Sequence, residues 1–340
     1  MYIIMTTNII QSAVNVIKDS SPNMKDSTIS TYTRQLKKLF EEVTKAGGAM
    51  LIKDGLPSFL YDVPFTLNFI QNSAWGETLK PTTRKHTLSL ILTMFRRDTE
   101  CSEYKDYRKI FDIIKEQQDK QLELQLPKNE AEEELKDIKM EELSRNLNYH
   151  FNKVRKSKSE DVESAQKYFL GHLHLDQVLR NEACSMMLTE DYITVEEDPN
   201  ANFIWLKGRN MKLMVIRNNK VRNPARGDEP KEVYLKGVVN SALNKYVQTL
   251  KNSGKIIDTW SQYPLVYTEG GSCSSSHYSQ LFKTIWSHMG LELTTTQLRK
   301  VYAMDIREKY KGNLVKENEA CLKLDHSKDT HDKHYILDFT

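Results

Sequence analysis

The stretch Leu324-Asp325-His326-Ser327 is followed, nine positions beyond its histidine, by Tyr335, close to the end of a 340-residue sequence. Upstream, Gln297-Leu298-Arg299 lies inside a helical pattern and Leu179-Arg180 stands apart. A phenol, two guanidiniums and an imidazole are the groups that transfer at a phosphodiester requires when no metal takes part. Tyrosine ordinarily holds its proton up to about pH 10, so a site that uses it as a nucleophile must stabilise the phenolate and the crowded phosphorus together. Arginine suits both tasks, because its planar, permanently charged fork matches two phosphate oxygens and a pair of such forks neutralises the charge that builds in the transition state. The departing 5′-oxygen also needs a proton, a role suited to a lysine on a mobile turn.

These groups need a scaffold, and the composition describes one. With 39% hydrophobic and 28% charged residues and only 13 glycines and 9 prolines, the chain reads as a mainly helical globular protein, long enough for two domains. Residues 1–24 read as a polar, flexible leader. From Ser27, a plausible N-cap, Ile29, Tyr32, Leu36, Leu39, Phe40 and Val43 share one helical face. Further helices are predicted over Val63–Gln71, after Pro81, around Tyr107–Ile114 and over Leu135–Phe151, so residues 25–151 form an α-helical domain. The basic run at 152–160, with Lys153, Arg155, Lys156 and Lys158, reads as a linker. The acidic stretch Glu130–Glu142 reads as a solvated helix face. Beyond the linker, 161–340 begins with a helix at Asp161. Strands at Tyr192–Val195, Phe203–Leu206, Leu213–Ile216 and Val233–Leu235 then form a small antiparallel β-sheet, and helices resume over Val239–Leu250 and Leu281–Met289. The fold class is therefore mainly α with a small antiparallel sheet, α+β.

The order arginine, arginine, histidine, late tyrosine resembles the tyrosine recombinases, the integrases of phages, viruses and mobile elements; Leu179-Arg180-Asn181-Glu182 is most like the divergent integrases of eukaryotic DNA viruses. Arg180 matches the family's first arginine and Arg299 the second. Thr296 stands where the family has a histidine three residues before that arginine, and it can donate a hydrogen bond without shuttling a proton near pH 7. Ala183 occupies a position that is usually acidic, and Asp191 follows eleven residues after Arg180. His326 matches the family's Gly-His-Ser step, with Asp325 replacing the glycine, and Tyr335 stands at the customary distance. The resemblance places the lysine in a turn between strands, which selects Lys220 with Lys207, Lys212 and Arg222 as rivals.

What the resemblance implies is an N-terminal helical core-binding domain before a tyrosine-recombinase-type catalytic domain. Together they would carry out site-specific recombination or integration through a 3′-phosphotyrosyl intermediate, with no cofactor. Double-stranded DNA is the implied partner and a tetramer the implied assembly. A type IB-like topoisomerase and a DNA-binding protein that no longer cuts are the alternatives. Lys37, Lys38, Arg84, Lys85, Arg96 and Arg97 on the first domain, with Lys153, Arg155, Lys156 and Lys158, are the expected DNA contacts, supplying affinity more than sequence choice.

A formal charge of +3 permits such a partner without demanding it. His326, His331, His334, Asp325, Asp329 and Asp332 crowd together near the end of the chain, but no cysteine or second histidine cluster completes a metal site, and none is assigned. Cys101, Cys184, Cys273 and Cys321 form no CxxC pair, which points to a reducing compartment, nucleus or cytoplasm, rather than secretion. No run is apolar enough for a membrane span, and the signatures of P-loop, Rossmann, zincin and nucleophile-elbow chemistry are missing from the sequence. His172 and His174, alternating with leucines, read as structural.

Overall fold

The structure is a computed structural model that describes residues 2–48, 51–124, 130–158, 160–191, 201–208, 212–217, 230–256, 262–269, 271, 273–325 and 335–336. It is mainly helical with one small sheet of five strands and a two-stranded hairpin. The chain divides into two compact units, 1–123 and 124–340. No described helix is long and apolar enough to cross a membrane.

In the first unit, helices α1 (Tyr2–Ser20) and α2 (Asp26–Lys45) precede a hairpin of β1 (Ile52–Lys53) and β2 (Leu56–Pro57). Helices α3 (Val63–Asn72), α4 (Ala74–Thr78), α5 (Pro81–Met94) and α6 (Ser102–Glu123) follow. The leader is not a loose tail. Ile9, Ala13, Val16 and Ile17 recur at helical spacing, and α1 buries them in the same core as Leu36, Leu39, Phe40 and Val43 of α2. Ser27 does not cap α2, because the helix begins at Asp26 after Lys25, with Asp26 placing a negative charge in its first turn.

The second unit begins before the basic run. Helices α7 (Glu130–Glu133), α8 (Met140–Asn146) and α9 (Asn148–Lys156) lead into α10 (Val162–Gln177). Residues 152–156 are therefore the end of a helix and not a linker. Lys153, Arg155 and Lys156 face solvent while Val154 is fully buried. Leu143, Leu147 and Val154 enter one core with Leu170, Leu173, Tyr278, Trp286 and Leu298. The Trp286 indole donates to the Leu143 carbonyl at 3.1 Å, and His150 Nε2 lies 2.6 Å from the Ile285 carbonyl. These contacts fix 140–156 to the second unit, on the far side of the sequence-predicted boundary.

Strands β3 (Met187–Thr189), β4 (Phe203–Trp205), β5 (Lys212–Ile216), β6 (Lys231–Leu235) and β7 (Gln262–Pro264) form the sheet in the order β6-β5-β4-β3-β7. Three of its pairings are antiparallel, and β3 runs parallel to β4, so the sheet is not purely antiparallel. The predicted strand at 192–195 lies outside the described residues. Helix α11 (Gly237–Asn252) follows β6, and the remaining helices are α12 (Ser275–Lys283), α13 (Thr295–Lys309) and α14 (Leu314–Lys323).

Candidate active site

Helix α10 starts at Asp161, whose carboxylate accepts the Ser164 N–H at 2.9 Å, and ends at Val178 in the left-handed conformation, φ 50°. A β-branched residue rarely adopts that conformation, so it persists only where its surroundings enforce it. Here the Val178 side chain is fully buried and its carbonyl accepts Arg299 Nη1 at 2.6 Å. The reversal stops α10 and delivers Arg180, half-buried, two residues later.

Asn181 holds the turn in place. Its amide donates to Ser275 Oγ at 2.9 Å and to Ser279 Oγ at 3.1 Å on α12, and its oxygen accepts the Thr295 hydroxyl at 3.0 Å. Helix α13 opens with a capping box between Thr294 and Gln297, which settles its phase and so the direction in which Arg299 points.

Arg299 is 2% exposed. Besides the Val178 carbonyl, its guanidinium donates through Nη2 to the Leu324 carbonyl and through Nε to the Tyr335 hydroxyl at 3.3 Å. It also sits 5.1 Å from the centre of the Tyr335 ring. Arg180 lies near enough for its charge to act on the same phenol. The three residues are thus brought together although the first and last are 155 positions apart in the sequence. Leu324 and Ile336 seat the segment around them, packing with Val178, Tyr302 and Ala303 in a small apolar cluster that Tyr335 borders.

The electrostatics follow from this geometry. Burial pushes the Tyr335 phenol up, but the charge and hydrogen bond of Arg299 and the charge of Arg180 outweigh it, and the phenol ends below its ordinary value. Burial also lowers Arg299, with the Arg180 charge adding to that effect and Tyr335 opposing it. A phenolate, or a phosphate in its place, relieves the repulsion between the two guanidiniums.

The other predicted site residues separate into several groups. Lys220, Arg222 and His326 lie outside the described residues, as do His331, His334, Asp329 and Asp332. Thr296 is exposed and lines a hollow with Glu132, Leu135 and Lys283, whereas its neighbour Thr295 is the one bonded to the Arg180 turn. Lys207 is exposed beside the Trp205 ring, and Lys212 is buried with its ammonium on the Gly208 carbonyl. Sequence reasoning passed over Lys231, the first residue of β6, whose ammonium is buried and donates to Asp325 Oδ2 at 2.9 Å. It also passed over Lys300, buried and paired with Glu132 at 2.5 Å, so the acidic stretch at 130–142 does not face solvent throughout.

Of the expected DNA contacts, Lys37, Arg96, Arg155, Lys156 and Lys158 are exposed and Lys85 is half-buried. Lys38 is engaged with Glu42, Arg97 with Asp19, Arg84 with the Gly76 carbonyl and Lys153 with the Tyr149 ring. His172 and His174 are buried as structural residues; burial pushes them down to about 4 and about 3, and His174 shares a 2.5 Å hydrogen bond with the Tyr278 hydroxyl.

Comparison with known proteins finds no matching family model, no matching curated sequence and no matching solved structure.

Proposed function

We propose that this chain cuts and rejoins DNA strands through a covalent 3′-phosphotyrosyl bond, in the service of site-specific recombination or integration. The observation that carries the reading is the convergence of two guanidiniums, Arg299 and Arg180, on the single phenol of Tyr335. In the reaction the Tyr335 oxygen gives up its proton to solvent and attacks phosphorus. The bond from phosphorus to the 5′-oxygen breaks, and that oxygen leaves as a hydroxyl after taking up a proton. Arg180 and Arg299, which already favour negative charge at the phenol, stabilise the charge as it spreads onto the phosphate oxygens. His326 supplies a further hydrogen bond and Lys220 the proton, as the resemblance implies. The bond energy stored in the phosphotyrosyl link drives rejoining, so neither ATP nor a metal is required.

The test is incubation with a duplex carrying a nick beside the scissile phosphate, with a covalent protein–DNA adduct read on a denaturing gel. Adduct should form in the presence of a magnesium chelator, vanish in Tyr335→Phe, and fall about 10²–10³-fold in Arg180→Ala, the scale of losing one transition-state donor. Adduct that persisted in Tyr335→Phe, or that required magnesium, would sink the reading. Relaxation of supercoiled plasmid without joined-site products would assign the same chemistry to a topoisomerase.

A further inference from the structure

We infer that Lys231 is a positioning residue that seats the tyrosine-bearing segment from the edge of the sheet, an inference that rests on the function proposed above. Three successive residues at the start of that segment are gripped by two buried cations. Lys231 Nζ donates to the Lys323 carbonyl at 3.3 Å and to Asp325 Oδ2 at 2.9 Å, and between them the Leu324 carbonyl takes Arg299 Nη2. Lys231 and Asp325 are 7% and 8% exposed in their side chains. Ten residues later Tyr335 returns to the same Arg299. Leu324 and Tyr335 thus meet at one guanidinium, and Lys231 holds the residues on either side of Leu324.

A buried ion pair is a poor way to gain stability, since the cost of stripping water from both charges offsets much of their attraction, and apolar side chains of similar size often fold as well or better. What the pair supplies is direction. An ammonium with donors committed to a carboxylate and a carbonyl accepts one geometry of residues 323–325, and Asp325 adopts the left-handed conformation, φ 53°, to meet it. An apolar contact would allow that turn to rock, and with it the Arg299 guanidinium that holds the phenol. The edge position of β6 makes this a link between sheet and nucleophile that neither arginine provides.

The experiment uses the full chain and the double variant Lys231→Met/Asp325→Leu, which removes both charges together so that neither is left buried alone. Asp325→Asn, which keeps an oxygen acceptor of the same shape, is the milder variant and is read in the same way. Adduct formation is followed on the nicked duplex and on the same duplex with a bridging sulfur in place of the 5′-oxygen, a leaving group that needs no proton. In parallel, tyrosine labelled at the ring carbon that bears the hydroxyl reports the titration of Tyr335 by NMR, assigned by difference from Tyr335→Phe. The expected result is DNA binding unchanged, adduct formation slower by about 10²-fold on both substrates, the scale of a small misplacement of a reacting group, and a Tyr335 titration moved to higher pH. Full activity in the double variant with an unmoved titration overturns the inference. Recovery on the sulfur substrate alone overturns it too, by making Lys231 the proton donor. If the parent chain forms no adduct, the proposed function fails, yet a titration that still moves between parent and double variant upholds the role of Lys231 in seating the phenol.

Discussion

Tyr335 is pulled in two directions, by burial toward the neutral phenol and by two arginines toward the phenolate, and the arginines prevail. The sign of the consequence is definite. A phenol that reacts as its anion gives a rate that rises with pH and levels off above its pKa, so here the midpoint of the rise should lie below the ordinary value near 10. In Arg180→Ala the rise should move to higher pH, because that variant removes attraction to the phenolate and leaves the burial unchanged; single-turnover adduct formation across pH measures it. The two arginines should nevertheless differ in stability. Arg299→Ala strands the Val178 and Leu324 carbonyls, both deep in the protein, at about 1–3 kcal/mol each, so a loss on the order of 3 kcal/mol is expected in urea denaturation. Arg180 is half-exposed, and its removal should stay within about 0.5 kcal/mol. An Arg180→Ala variant as unstable as Arg299→Ala would mean that the first arginine is a structural strut.

Helices α9 and α10 carry three buried, neutral histidines into the second unit: His150, His172 and His174, each pushed by burial to about 4, about 4 and about 3. The unfolded chain takes up these protons near pH 6.5 and the folded chain does not. Stability that is complete above pH 6.5 is therefore lost as the pH falls toward the folded values, by about 1.4 kcal/mol per pH unit for each histidine. The urea midpoint should drop steeply between about pH 6 and pH 4, and His172→Phe should reduce that slope by about a third. Much at this scale was legible beforehand. The helices of α2, α3, α5 and α11 follow from their apolar periodicity, as do β4, β5 and β6 from their β-branched and aromatic runs. What escaped is equally instructive. Strands β3 and β7 are three residues long and are made by long-range pairing, which leaves no local pattern. Arg180, Arg299 and Tyr335 were readable from type and order, whereas Lys231 looked like any lysine at a strand start until Asp325 folded onto it. Which threonine beside Arg299 meets the Arg180 turn depends on helix phase, and the capping box at Thr294 sets it to Thr295.

At the scale of the whole molecule, the division of the chain decides which fragment can fold by itself. The basic run at 152–158 resembles a linker because a single apolar residue, Val154, anchors it, and one residue is too little to register as an amphipathic face. Packing shows the anchor's worth: Leu135, Leu143, Leu147 and Val154 all enter the second unit's core, with Gly171 of α10 so close to Leu147 that a Cβ there would collide with its side chain. Each such side chain contributes about 1.5–3 kcal/mol on burial, and four together approach the roughly 5–15 kcal/mol that holds a domain folded. A fragment spanning 124–340 should therefore unfold cooperatively and keep the convergence of Arg180, Arg299 and Tyr335. A fragment spanning 159–340, cut where the composition changes, should lack a stable core. Circular dichroism through a urea gradient separates the two, and adduct formation by the longer fragment on a nicked duplex adds a functional reading. If 159–340 folded as well as 124–340, the packing of α8 and α9 against the second unit's core would contribute little to its stability.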